Sequence, residues 1–186
     1  ATRRPLLRRR LGGGLTVRPA RDVATPECQG AMGESVPNPL WRIVHALTCL
    51  KNTDPGSRVE GFYDDGVPLS AEDVRLLSEA PNPIDGLRRE LALKTLLPQA
   101  EDNFHVARTM PTCNVTLITD GNASGMPRFS IPTDARAVLR INLVPNQEPD
   151  DIAKKVRNHL DRHGFADVAL QVLSATPPSM TDVRHP

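Results

Sequence analysis

Aromatic side chains are scarce in this sequence, at 3% of 186 residues, so its core must be aliphatic. Cysteine is scarce too. Cys28, Cys49 and Cys113 are odd in number and lack metal-knuckle spacing, which points to a reduced, cytoplasmic setting. Neither sign of charge dominates. A formal net charge of +1 argues against a dedicated nucleic-acid binder. The one basic cluster, Arg3, Arg4, Arg8, Arg9 and Arg10, reads as a solvated terminus. No apolar run approaches the ~18 residues of a membrane span, and the charged start lacks the apolar centre of a signal peptide. Phosphate loops, dinucleotide fingerprints and Ser-His-Asp signatures are also missing.

What is present is a single domain's worth of periodic segments. Residues 30–50, GAMGESVPNPLWRIVHALTCL, set Leu40, Ile43, Val44, Leu47 and Leu50 on one helical face. Asn38 is the expected N-cap, and Pro37 and Pro39 fix the way in. Before this helix, residues 15–18 read as a short strand that extends back across Gly12, Gly13 and Gly14, and 19–27 as a polar loop. After it, 51–58 reads as a turn. Residues 59–111 are polar and proline-punctuated, and are expected to form an insertion outside the core layer. Within it, Ser70 and Asp73 form a capping box for a helix over 70–80. A second helix is expected over 84–97, and a loop over 98–110. Strands are expected at 114–119, at 136–143 with clean alternation, and at 168–173. A helix over 150–163 ends with Gly164 at C′. The order predicts an α+β fold: the β-α-β-β-α-β unit of the ferredoxin-like class, with an antiparallel sheet, helices on one face and an inserted helical segment.

Candidate chemistry is thin. His159 and His163 have the i, i+4 spacing of two metal ligands, but no third ligand stands in frame, so they read as solvent-facing. Asp64-Asp65, beside Tyr63, could do acid–base work, although a turn-capping pair is the simpler reading. Cys28 could be a reactive thiol or an ordinary surface cysteine.

Three stretches carry more. GAMGESVPNPLWRIVHALTCLKN, VEGFYDDGVPLS and SIPTDARAVLRINLVPNQEPDDI together resemble the M20 family of zinc metallopeptidases, in the branch of carnosine dipeptidases and related amidohydrolases. The resemblance covers roughly residues 10–186 and implies the lid, or dimerisation, domain, which is ferredoxin-like. It implies zinc in a separate catalytic domain absent from this chain. Lacking a ligand set, with only the weak i, i+4 histidine pair, this polypeptide alone is expected to hydrolyse no dipeptide and to bind no zinc tightly, and no cofactor is expected in this chain. The family lid supplies a histidine, a threonine and an arginine to substrate binding, partly across the dimer. Those positions fall on Cys28, Phe129 and Asn142. Phenylalanine offers no hydrogen bond, asparagine cannot make an arginine's charged fork, and a thiol is a poor oxyanion donor.

The implied role is therefore closure over a zinc site and pairing with a second lid. The homodimer is expected to use the helix over 40–50, with Trp41, Arg42 and His45, and an adjacent edge strand. No nucleic-acid or membrane partner is expected. A non-catalytic relative and a free-standing ferredoxin-like binding or regulatory module are the alternatives. The start at Ala1 and the end at Pro186 are expected to be cuts in a longer protein, with 181–186 as a return linker.

Overall fold

The computed structural model describes residues 9–17, 28–29, 33, 35–51, 56–66, 68–120 and 129–176. The expected loop over 19–27, residues 52–55 of the turn over 51–58, the loop over 121–128 and the linker over 181–186 lie outside the described residues. The elements in chain order are β1 (Arg9–Val17), β2 (Cys28–Gln29), α1 (Pro39–Leu50), α2 (Ala71–Ser78), α3 (Ile84–Glu90), α4 (Pro98–Asp102), α5 (Phe104–Ala107), β3 (Thr112–Thr119), β4 (Ser130–Ile131), β5 (Ala135–Leu143), α6 (Pro149–Arg162) and β6 (Val168–Thr176). The domain is α+β, with a four-stranded sheet in the order β3-β5-β1-β6. Every neighbouring pair in it is antiparallel. A separate two-stranded ribbon joins β2 to β4.

The alternation along β5 decides which face is buried. Ala135, Ala137, Leu139, Ile141 and Leu143 all lie under α1 and α6, while Arg136 and Arg140 point to the exposed side. Ile43, Ala46 and Leu50 come down from α1, and Ile152, Val156 and Leu160 from α6, to complete an aliphatic core. Asn38 caps α1 by accepting the Leu40 N–H at 2.9 Å. Ser70 and Asp73 close the capping box on α2.

The sheet-side boundary of the expected insertion needs correction. Val59 and Phe62 belong to the main core, and the Phe62 carbonyl accepts a hydrogen bond from the Gln147 side chain at 2.5 Å. The polar look of 59–66 comes from a tight turn, 61–65, with Gly61 at φ +74°. Downstream, α2 and α4 each pack on α5. The helix expected over 84–97 stops at Glu90, and the loop expected over 98–110 contains α4 and α5.

Helices α3 and α6 end in the same way with different residues. After α6, Gly164 takes φ +80°, and Phe165 N–H reaches back to Leu160 O at 2.8 Å. After α3, Leu93 N–H reaches Arg88 O at 3.0 Å, and the left-handed position is Ala92 at φ +50°. Both are Schellman closures, which favour glycine at C′ because a Cβ is strained there. Ala92→Gly should therefore stabilise the domain by about 0.5–1 kcal/mol, read as a rise in the urea midpoint at constant m. A fall in the midpoint would show that the unfolded-state entropy of glycine outweighs the strain.

Candidate functional site

The outward side of α1 carries Trp41, 63% exposed, and His45, whose ring stacks on it at 6.0 Å between centroids. With Pro37, Asn38, Pro39, Arg42 and Asp167 they line a shallow groove. Arg42 is not a free arm. Its guanidinium makes a forked pair with Asp167 at 2.9 and 2.5 Å, donates to Gly164 O at 2.5 Å and lies 4.4 Å over the Phe165 ring. The pair raises the Arg42 pKa, and the same hydrogen bond holds the Asp167 carboxyl below its usual range. Arg42 thus fastens the start of α1 to the α6–β6 turn, while Trp41 and His45 stay open.

Edge strand β3, at the end of the sheet beside β5, is a second exposed surface. Its register sets Val115 opposite Leu139 and Ile118 opposite Ala137, on the core side of the sheet. Directly opposed residues of an antiparallel pair share a face. Yet Val115 and Ile118 are 45% and 46% exposed, so this end of the core face is uncovered. A bulge between Val115 and Leu117 lets both positions turn to the same side.

The three positions implied as lid residues do not meet. Cys28 pairs with Ile131 in the β2–β4 ribbon, two residues along the strand from Phe129, which is 93% exposed. Asn142 lies near the far end of β5, where its amide donates to Thr112 Oγ1 at 2.8 Å. Seven residues of strand separate it from Ala135, the β5 end nearer the ribbon, or roughly 24 Å at the antiparallel rise.

The remaining candidates are structural. His159 is buried, not solvent-facing: its Nε2 contacts Cys49 O at 2.9 Å, and its ring stacks on His163 at 4.0 Å. With that nitrogen occupied, the pair is no metal site, and among the described residues no three His, Cys, Asp or Glu side chains gather to hold a metal. The described residues do not fit a zinc ion. Asp65 pairs with Lys155 at 2.5 Å, and Lys155 also holds Asp151 at 2.7 Å, tying the 61–65 turn to α6. Burial pushes the Cys113 thiol up to about 11 and the Cys49 thiol upward, so neither is a ready nucleophile.

One residue passed over in the sequence is Gln147, fully buried. Its Oε1 accepts the Val144 N–H at 3.0 Å, and its Nε2 serves Phe62 O. The Pro145-Asn146 turn that aims it has Asn146 at φ +70° and a Gln147 N–H to Val144 O bond of 3.1 Å, the type II pattern. The signal was the VPNQ tetrapeptide, whose Pro-Asn pair suits such a turn.

The peptidase dimerisation domain of the M20 family matches residues 26–168. The chain belongs to the M20 peptidase dimerisation-domain family. Among solved structures, this M20 domain is similar to an M20 family metallo-carboxypeptidase from Sulfolobus solfataricus, at 25% identity and TM-score 0.82, over 97% of this chain and 46% of that one. It is also similar to human carnosine dipeptidase 1, at 17% identity and TM-score 0.79, over 98% of this chain and 40% of the other. A third match is the dipeptidase Dug1p of Saccharomyces cerevisiae, at 16% identity and TM-score 0.78, over 99% of this chain and 40% of that one. The M20 domain therefore spans less than half the length of these solved relatives. Among curated proteins, none matches it.

Proposed function

We propose that this M20 domain is the lid and dimerisation domain of a zinc peptidase or amidohydrolase, closing over a metal site in a separate catalytic domain and pairing with a second lid. The reading takes the sheet order β3-β5-β1-β6, with α1 and α6 on one face, as the ferredoxin-like split unit. The observation that carries it is the family match over 26–168, on a chain that fills 46% or 40% of solved M20 proteins.

The pairing surface we assign is the outward side of α1, with Trp41 and His45, together with β3. An edge strand offers unpaired N–H and C=O groups, and a second copy related by a two-fold axis satisfies both edges at once. Uncovered Val115 and Ile118 add apolar area to that contact. The separation of Asn142 from the Cys28–Phe129 ribbon is consistent with lids that serve two sites, one in each subunit. Sedimentation velocity over a concentration series tests the pairing. A dimer is expected, with Val115→Asp plus Ile118→Asp weakening it at least tenfold, about 1.4 kcal/mol. A monomer at high micromolar concentration would end this assignment.

A second reading, a non-catalytic relative, draws on Phe129 and Asn142. Neither supplies the charged or hydroxyl donor that the family lid uses, and the Asn142 amide is engaged with Thr112. A complete, functional zinc site in the protein that carries this domain would exclude it.

A further inference from the structure

We propose that Lys51 closes the first part of the β3 edge to strand pairing and leaves a second copy of this chain only the part beyond it; this rests on the pairing reading above. Lys51 follows the last residue of α1, and its extended backbone, φ −148° and ψ 138°, takes its side chain out of the helical array. Its main chain is held by a bridge to Ser57 and by its own N–H to Leu47 O at 3.3 Å. From there the ammonium donates to Cys113 O at 3.1 Å and to Asn114 Oδ1 at 3.4 Å. Those two acceptors fix where it sits. Cys113 is buried on the core side of β3, opposite Ile141, and Asn114 stands opposite Arg140 on the other side. A single group that touches both lies beside the strand, not above either face. One flank of β3 is filled by β5, so the ammonium occupies the free flank.

Along an antiparallel strand the N–H and C=O of one residue point to the same flank, and successive residues alternate. Cys113 O faces Lys51, so Cys113 and Val115 present their main-chain groups outward. Thr116 is the extra residue of the bulge, since Val115 stands opposite Leu139 and Leu117 opposite Val138. Ile118 is therefore the next outward position. Among the described residues no side chain reaches the main chain of Val115 or Ile118. The edge is thus divided. Its first outward carbonyl is taken by a lysine, a residue that natural sheets use to blunt their edges. A strand laid over it would have to displace a hydrogen-bonded ammonium or bury it. The stretch from Val115 to Ile118 is open. A second copy of this chain fits there, because a two-fold axis beside that stretch joins the two open parts and sets both lysines at the ends of the contact. Val115 and Ile118, 45% and 46% exposed, then cover one another's apolar surface.

Amide hydrogen exchange of the 186-residue chain, followed residue by residue by NMR below and above the dimer midpoint, tests this. On association the Ile118 N–H should exchange about tenfold more slowly, while the Cys113 N–H changes by less than about twofold. In Lys51→Met the Cys113 N–H should gain the same protection as Ile118. Lys51→Arg, which keeps a charged donor, should behave as the wild-type chain. Protection of Cys113 equal to that of Ile118 in the wild-type chain overturns the proposal, as does a Cys113 that stays unprotected in Lys51→Met. A wild-type dimer with neither amide protected removes the β3 contact and the proposal with it. Sedimentation of the same samples separates the proposal from the pairing reading. A wild-type monomer beside a Lys51→Met dimer that protects Cys113 removes the pairing reading and leaves Lys51 as the guard of the edge. Monomers in both remove both.

Discussion

Replacing Gln147 with leucine will destabilise the domain by about 2–4 kcal/mol, although the two side chains are close in volume. Gln147 is buried where β5 hands over to α6, and it joins two backbone groups that have turned away from the sheet. Its carbonyl takes the Val144 N–H, and its amide serves the Phe62 carbonyl across the core. Leucine would leave the buried Phe62 carbonyl and the part-buried Val144 N–H without these partners, and an orphaned backbone group costs far more than an average hydrogen bond contributes. The Phe62 end matters most, because it fastens the 61–65 turn, and with it Val59 and Phe62, to the core. At this chain length the loss corresponds to a fall in Tm of roughly 5–15 °C. Urea titration should show the midpoint moving at constant m. A change below about 0.5 kcal/mol would mean that water replaces the side chain. Gln147→Glu discriminates further: it keeps an acceptor for Val144 but turns a carboxylate towards the Phe62 carbonyl, so it should be no better than leucine.

Gln147 also marks the limit of what the residues disclose alone. The periodic parts were legible because they read out a single buried face. The 3.6-residue recurrence in α1 and α6 and the strict alternation of β5 each need only one neighbour, so α1 and β5 begin and end within a residue of the expected positions. The capping signals at Asn38, Ser70 and Gly164 are equally local. Contacts distant in sequence were not legible. Nothing near Val59 or Phe62 shows that Gln147, 85 residues from Phe62, draws that turn into the core. Nothing in the i, i+4 pattern of His159 and His163 reveals that the Cys49 carbonyl from α1 waits for the first of them. The two-residue β2–β4 ribbon is too short to have a period at all. At the candidate site, the sequence marked Trp41, Arg42 and His45 together, but only the fold shows that Arg42 is spent on Asp167 and Gly164. Val115 and Ile118 read simply as strand residues. Their exposure follows from the place of β3 at the sheet edge, a tertiary fact.

Acidification should weaken the contact between α1 and α6 from the ordinary histidine range downward, and His159 is the cause. Burial lowers its pKa, with the charges of His163 and Arg58 acting in the same direction; the Cys49 carbonyl and Glu60 oppose them. The neutral ring donates from Nε2 to that carbonyl and stacks on His163, whose Nδ1 contacts His159 O at 2.8 Å. Because the folded-state pKa lies below the unfolded one, the unfolded chain binds the proton first as pH falls. The stabilisation from neutral His159 is complete above the ordinary histidine value of about 6.5 and drains away as pH falls through the lowered folded value. One such group sets a slope of at most about 1.4 kcal/mol per pH unit. A second phase should follow at lower pH, where Asp167 and Glu101, both depressed by arginine partners, take up protons and release Arg42 and Arg88. Urea unfolding between pH 8 and 3.5 should therefore show two descending steps. His159→Gln keeps an amide donor for Cys49 and has no titratable group, so it should flatten the upper step and leave the lower one. On the pairing surface proposed above for α1, association should weaken across the same upper step in the wild-type chain and not in His159→Gln. An upper step of equal height in the variant would assign it to the other histidines and remove His159 as the acid-sensitive link between the two helices.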